Sequence, residues 1–253
     1  MLHRASRVLL RTVGTAWLPS VPGEEMPLPP DDWSALLASL VAGGIPVDSV
    51  AIHGRTQVHR ESFSLVTIGR EGVTAFVRVA DRAALDAESR SIAMLEKFCP
   101  ASFVYPRTLL RGSAGAVEYA AYSPVLTGFH SPPHSPKIGP VVADIQGALA
   151  NLPKPAGTPP HWVPIHGDFT PWNLREHRGE LVLIDWESCG WGPPHADEVL
   201  YIATARVLGL RVPDGVRTDE AAEFWRDRVG GSLRGRDDRL QKAVAKELSI
   251  TDT

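Results

Sequence analysis

The stretch that most constrains this chain is His166-Gly167-Asp168-Phe169-Thr170-Pro171-Trp172-Asn173, followed after a turn by Leu181-Val182-Leu183-Ile184 and then by Asp185-Trp186-Glu187. A residue ahead of proline is pushed out of the right-handed helical region, so Thr170-Pro171 forces a non-helical loop. That loop holds Asp168 and Asn173 five positions apart and presents both to one side. Arg178-Gly179-Glu180 is a turn signal, which makes Leu181 to Ile184 a short buried strand whose C-terminal end exposes Asp185. Two carboxylates and one amide therefore meet at a strand-loop rim. Such a set can hold a hard cation through oxygen ligands and leave one carboxylate to take a proton from a hydroxyl.

The residues before this stretch predict strands. Pro27-Leu28-Pro29-Pro30 ends a leader, and Asp31 or Asp32 is placed to cap a packing helix with the stripe Trp33, Leu36, Leu37, Leu40 and Val41, stopped by Gly43-Gly44. Val47 to Ile52 is a candidate strand, the polar run His53 to Arg60 a loop, and Ser62 to Ile68 a second strand. Gly69-Arg70-Glu71-Gly72 turns the chain into a third, Val73 to Ala80. Asp81 is placed to cap a helix over Arg82 to Phe98 with Leu85, Ile92 and Leu95 on its apolar face. Glu88 shares that face by the helical period, and a buried carboxylate is costly unless paired. The nearest candidate partner is Arg78 on the third strand, on the side of Phe76 and Thr74 by the period of two. Thr108 to Gly112 and Ala116 to Tyr122 read as another strand pair.

Helices are predicted after this point. Ser123 to Gly128 breaks the strand pattern, and a loop with Pro132, Pro133 and Pro136 follows. Gly139-Pro140 opens a helix to Ala150 with Val142, Ile145 and Leu149 on one face. A linker from Pro153 to Pro164 delivers the chain to His166. Residues 196–208, 218–229 and 237–248 have helical spacing. The expected organisation is a leader and packing helix over 1–44, a nucleotide-binding lobe over 45–122 and a helical catalytic lobe over 123–253.

At 253 residues the chain is long enough to bury a core without a metal or disulfide staple. Its net charge of −3, with both signs interspersed, offers no electrostatic footprint for nucleic acid or an anionic membrane. Met1 to Leu18 is basic and partly apolar, but Arg4, Arg7 and Arg11 interrupt it, so neither a signal peptide nor a membrane span is expected. Cys99 and Cys189 lack Cys-x-x-Cys spacing and are expected as buried thiols of a cytoplasmic protein.

A strand-rich lobe with an Arg-Glu pair, a hinge and a helical lobe carrying Asp168, Asn173 and Asp185 resembles the protein-kinase-like phosphotransferases. More narrowly, the chain resembles the aminoglycoside phosphotransferase and choline kinase family, recognised by a His-Gly-Asp-x-x-x-x-Asn loop, a strand and Asp-x-Glu or Asp-x-Asp. His166 to Asn173 and Asp185 to Glu187 match that pattern, and the resemblance is specific over residues 160–200. It implies an α+β, bilobal, protein-kinase-like fold, with an N-terminal antiparallel sheet lobe and a mainly helical C-terminal lobe. It also implies ATP and Mg2+ as cofactors and the hydroxyl of a small molecule as acceptor.

Carried over by residue, the resemblance makes Asp168 the base that orients and deprotonates the acceptor, and Asn173 and Asp185 the magnesium ligands. His166 becomes a structural member of the loop, and Asp197 its brace. Arg78 stands where the family has a lysine; with Glu88 it forms the phosphate clamp, and arginine can grip phosphate with a planar fork. Phe76 falls where an aromatic stacks on adenine, Gly54 to Gln57 at the phosphate loop, and Ser123 and Val125 at the hinge that meets the adenine edge. Trp172, Glu187 and Trp191 are expected on the acceptor side. From residue 204 onward basic and acidic side chains number ten and nine, which argues against an acidic cleft for a polycationic aminoglycoside. Two other readings compete: a weak or inactive nucleotide-binding relative, suggested by Arg78, and a metal-dependent phosphoesterase using His161, His166, Asp168, Asp185 and His195.

Overall fold

The computed structural model describes residues 27–53, 62–134, 137–212, 218–232 and 239–249. Five strands form one antiparallel sheet: β1 (Ser49–His53), β2 (Phe63–Gly69), β3 (Gly72–Val79), β4 (Thr108–Ala114) and β5 (Val117–Tyr122), in the spatial order β1-β2-β3-β5-β4. The β2–β3 hairpin turns at Gly69–Gly72 and pairs Ser64 with Arg78 and Val66 with Phe76. β3 in turn pairs Phe76 with Tyr122. Of the loop expected over His53 to Arg60, His53 ends β1, and the rest, with Gly54 to Gln57, lies outside the described residues.

Helix α1 (Pro30–Ala42) covers the sheet by burying Leu36 and Leu40 with Ile45, Leu65, Val77, Tyr119 and Ala121. Its N-terminus differs from the sequence reading. Pro29 is the cap, with Pro30 at the first position, and Asp32 instead accepts from the Ala116 amide at 3.0 Å in the β4–β5 turn. Proline at the first turn needs no capping side chain, because its missing N–H is one the helix would leave unpaired. Val41, placed on the buried stripe by spacing, is 56% exposed, because the stripe is narrow and Leu36 and Leu40 fill it.

Helix α2 (Arg82–Phe98) begins as its sequence dictates, with Asp81 Oδ1 accepting from the Ala84 amide at 2.8 Å. Leu85, Glu88, Ile92 and Leu95 are all buried. Leu85, Ile92 and Leu95 join the largest core, which also takes in Phe103, Tyr122, Val141 and Ile145 from α3 (Ile138–Ala148), and Phe169, Leu174, Leu183, Trp186 and Tyr201 from the second half. The α2 helix thus rests on the helical half of the molecule as well as on the sheet.

The rest is mainly helical. A short hairpin, β7 (Leu174–His177) with β8 (Glu180–Leu183), and a long-range antiparallel pair, β6 (Val163–Ile165) with β9 (Gly190–Gly192), frame a 3-10 turn, Trp186–Ser188. Helices α4 (Ala196–Val207), α5 (Asp219–Ser232) and α6 (Arg239–Leu248) close a third core around Ile165, Val199, Trp225 and Val244. No helix among the described residues is long and apolar enough to cross a membrane. Both cysteines are unpaired, and Cys99, expected to be buried, is exposed. It sits in left-handed conformation at the C-terminus of α2, where the helix turns outward.

Candidate active site

The loop at 166–173 is fixed from beneath. Asp197, in the first turn of α4, accepts from the His166 amide at 2.8 Å and from the Gly167 amide at 3.2 Å. Burial outweighs those two donors and raises the Asp197 carboxyl to about 7. Gly167 has φ +81°, and a Cβ there would lie 2.0 Å from the Ser188 carbonyl oxygen, so only glycine fits. The buried His166 ring accepts from the Asp168 amide at Nδ1, 3.2 Å away, and directs Nε2 to the Ile184 carbonyl at 3.2 Å. Trp186 meets the ring edge-on at 4.7 Å. Burial lowers the imidazole to about 4, so it is neutral at physiological pH and sets the loop's shape.

Above this base the polar groups converge. Asn173 Nδ2 donates to Asp168 Oδ2 at 2.8 Å and to the Asp168 carbonyl at 2.9 Å. With the amide nitrogen so engaged, the Asn173 side-chain oxygen is the atom left for a cation. The Asn173 carbonyl accepts from the Ile184 amide at 3.1 Å, which ties the loop to the end of β8 beside Asp185. Asp185 itself is left-handed, φ 69° and ψ 64°. A non-glycine residue there carries strain, which persists where surrounding packing imposes it. That packing is Trp186, fully buried, stacked on Phe103 at 5.7 Å and donating Nε1 to the Leu183 carbonyl at 3.1 Å.

The sheet lobe supplies the opposite wall. Arg78 is 3% exposed and its Nη1 donates to Glu88 Oε2 at 3.0 Å. The Tyr122 hydroxyl donates to the same oxygen at 2.9 Å. Burial raises the Glu88 carboxyl, with Arg78 and Tyr122 acting against the rise. Arg78 Nη2 is also ion-paired with Glu187 of the 3-10 turn. Glu187, expected on the acceptor side, is therefore placed on Arg78, because α2 packs against the 3-10 turn and brings the two lobes' charges together.

The remaining expected residues scatter. Phe76 is half-exposed beside Tyr122, which suits a stacking surface. At the hinge, Ser123 Oγ accepts from the Arg107 amide at 2.9 Å, while the amides of Ser123 and Val125 donate to Arg107 and Ser123 carbonyls. Trp172 is exposed on the 166–173 loop. Trp191, expected on the acceptor side, donates Nε1 to the Pro153 carbonyl at 3.2 Å and has Lys154 Nζ 4.5 Å over its ring, which ties it to the linker. His161 pairs with Glu220 and His195 with Glu198. Among the described residues no three His, Cys, Asp or Glu side chains gather into a metal-holding group.

Sequence reasoning missed the Tyr122 hydroxyl, which nothing in its spacing marked. It also missed Arg175, which donates Nε to His130 Nδ1 at 3.0 Å and Nη1 to the Pro171 carbonyl at 3.3 Å, joining the segment after β5 to the 166–173 loop.

The fold is shared with solved structures. Macrolide 2′-phosphotransferase MphH from Brachybacterium faecium superposes with a TM-score of 0.53 at 13% identity, over 87% of this chain and 99% of that one. A candidate fructosamine-3-kinase from Haemophilus somnus gives 0.53 at 12% identity, over 85% and 96%. No curated protein matches the chain by sequence. The fold and the site define a kinase-like protein, an α+β molecule with a sheet lobe and a mainly helical lobe. Residues 132–228 match the model of the phosphotransferase enzyme family, and that span holds Asp168, Asn173, Asp185 and Asp197. The family resemblance read from the sequence therefore holds over that span, whose match is to a family of phosphotransferase enzymes.

Proposed function

We propose that this protein transfers the γ-phosphate of ATP to a hydroxyl of a small molecule such as an amino alcohol, a sugar or an antibiotic. The observation that carries the reading is the pair of hydrogen bonds from Asn173 Nδ2 to Asp168, on a loop locked to the end of β8 by the Asn173–Ile184 bond. The acidic base and the two oxygen donors expected for a cation are thereby held in one rigid unit.

In this reading Asp168 orients the acceptor hydroxyl and takes its proton, and Asn173 directs the carboxylate while turning its own oxygen outward. Asn173 and Asp185 would hold Mg2+, which suits one amide and one carboxylate oxygen completed by phosphates. Held there by Asn173 and Asp185, it would supply positive charge to offset that of the phosphates. Phosphoryl transfer asks mainly for position and charge compensation, so a rigid loop set by Asp197 and His166 suits it. Phe76 and the hinge at Ser123 and Val125 form the adenine side, Arg78 with Glu88 the phosphate side, and Trp172 flanks the acceptor. The lobes divide after Tyr122. Two unpaired cysteines, one exposed, fit a reducing cytoplasm.

One observation favours a second reading, a weak nucleotide-binding relative: Arg78 is already held by two carboxylates. ADP release is measured with wild type and Asp168→Asn across a panel of amino alcohols, sugars, glycated amines, macrolides and aminoglycosides. The first reading expects one acceptor class to raise ADP release by wild type alone, with the variant down at least about a hundredfold, a typical loss for a missing general base. Equal release by both proteins across the panel rejects it.

A further inference from the structure

The Arg78 guanidinium is unevenly satisfied. Nη1 is donated to Glu88 and Nη2 is paired with Glu187, while Nε is buried and makes no hydrogen bond to any described residue. Nε and Nη2 form one edge of the planar fork, the edge that receives two oxygens in a bidentate contact. Glu187 engages that edge at Nη2 alone. One guanidinium also faces two carboxylates here, in a nearly dry place.

The two carboxylates are not equivalent. Glu88 Oε2 has two donors, Arg78 and the Tyr122 hydroxyl, both from the sheet, and its helix is anchored in the main core. Glu187 comes from the other lobe, on a three-residue turn. A phosphate group approaching Arg78 could satisfy Nε and Nη2 together, a better match to the fork than the present contact, and Glu187 is the partner it would replace.

We propose that the Glu187 carboxylate is a built-in occupant of the phosphate position on Arg78, so that Glu187 sets nucleotide affinity by competing with the phosphates. The proposal rests on the phosphotransferase reading above. It makes the Arg78–Glu187 contact a latch between the lobes of the free enzyme, exchanged when nucleotide enters.

The test is isothermal titration of the full chain with ADP in excess EDTA, so that no cation links Glu187 to the nucleotide. Glu187→Gln keeps the shape, and Glu187→Asp keeps the charge but draws it back from Arg78. Glu187→Gln is expected to bind magnesium-free ADP about tenfold more tightly than wild type, a step of about 1.4 kcal/mol, and Glu187→Asp by a smaller factor. The gain should vanish in an Arg78→Gln background, as a pairwise coupling requires. Both variants should also melt below wild type without nucleotide, yet gain more in melting temperature from ADP. Equal or weaker ADP binding by both variants overturns the competition while leaving the phosphotransferase reading in place. If wild type and variants bind neither ADP nor its magnesium complex, that reading falls and the proposal falls with it.

Discussion

At the scale of the residue, the shape of the 166–173 loop depends on groups buried beneath it. His166 folds with its imidazole lowered to about 4 from an ordinary 6.5. Between those values the unfolded chain takes up a proton that the folded chain refuses, so His166 contributes stability at pH 7 that is lost as pH falls from about 6.5 toward 4. The loss approaches about 1.4 kcal/mol per pH unit. The stability difference between wild type and His166→Asn, read by urea denaturation, should therefore shrink steadily from pH 7 to pH 4.5; a constant difference would contradict the buried neutral ring. Gly167→Ala meets both a positive φ and the Ser188 carbonyl. It should cost more than about 2 kcal/mol, as strained buried positions do, and yield little folded protein. Tyr122→Phe removes one of two donors to Glu88 and should cost about 1.5–3 kcal/mol, the range for a hydrogen bond to a charged group, again by urea denaturation.

At the scale of the element, α2 carries Glu88 to Arg78 and rests on the 3-10 turn that carries Glu187. Its first turn is set by Asp81. Asp81→Ala should lower global stability by about 1 kcal/mol, the usual cost of losing an N-cap, with a measurable drop in melting temperature and no change in net fold by circular dichroism. Much of this level was legible in the sequence. The bounds of α2, the Gly69–Gly72 hairpin and the strand before Asp185 follow from caps, turn residues and apolar period, which act over a few neighbouring residues. The N-terminus of α1 was misread because two acidic residues and a proline compete for one role. The proline, already at the right φ, took it and left Asp32 to the β4–β5 turn.

At the scale of the whole molecule, the two lobes meet through the largest apolar core and, beside it, through charge: Arg78 and Glu88 from one side, Glu187 from the other, with Asp185 two residues away. Ligand that bridges this seam should stabilise the whole chain. Mg·ATP at about a hundred times its dissociation constant should add about 2.7 kcal/mol by linkage, seen as a rise in melting temperature. Asp185→Asn should abolish most of that rise while melting normally without ligand. An equal rise in the variant would remove Asp185 from the cation side.

By itself the sequence determined the local parts: which residues form strands and helices, that His166 to Asn173 is a loop, that Asp185 ends a strand, and that Glu88 needs a buried cation. These follow from backbone preference and hydrophobic period, which the chain carries in every short window. Only the tertiary structure decided which charges share a partner. Glu187 lies on Arg78 and Trp191 on Pro153 and Lys154, while the Tyr122 hydroxyl is spent on Glu88. Such pairings join residues far apart in the chain, and their strength depends on the burial that packing alone creates. The same spacing in the sequence would have served an acceptor pocket as well as it serves a latch.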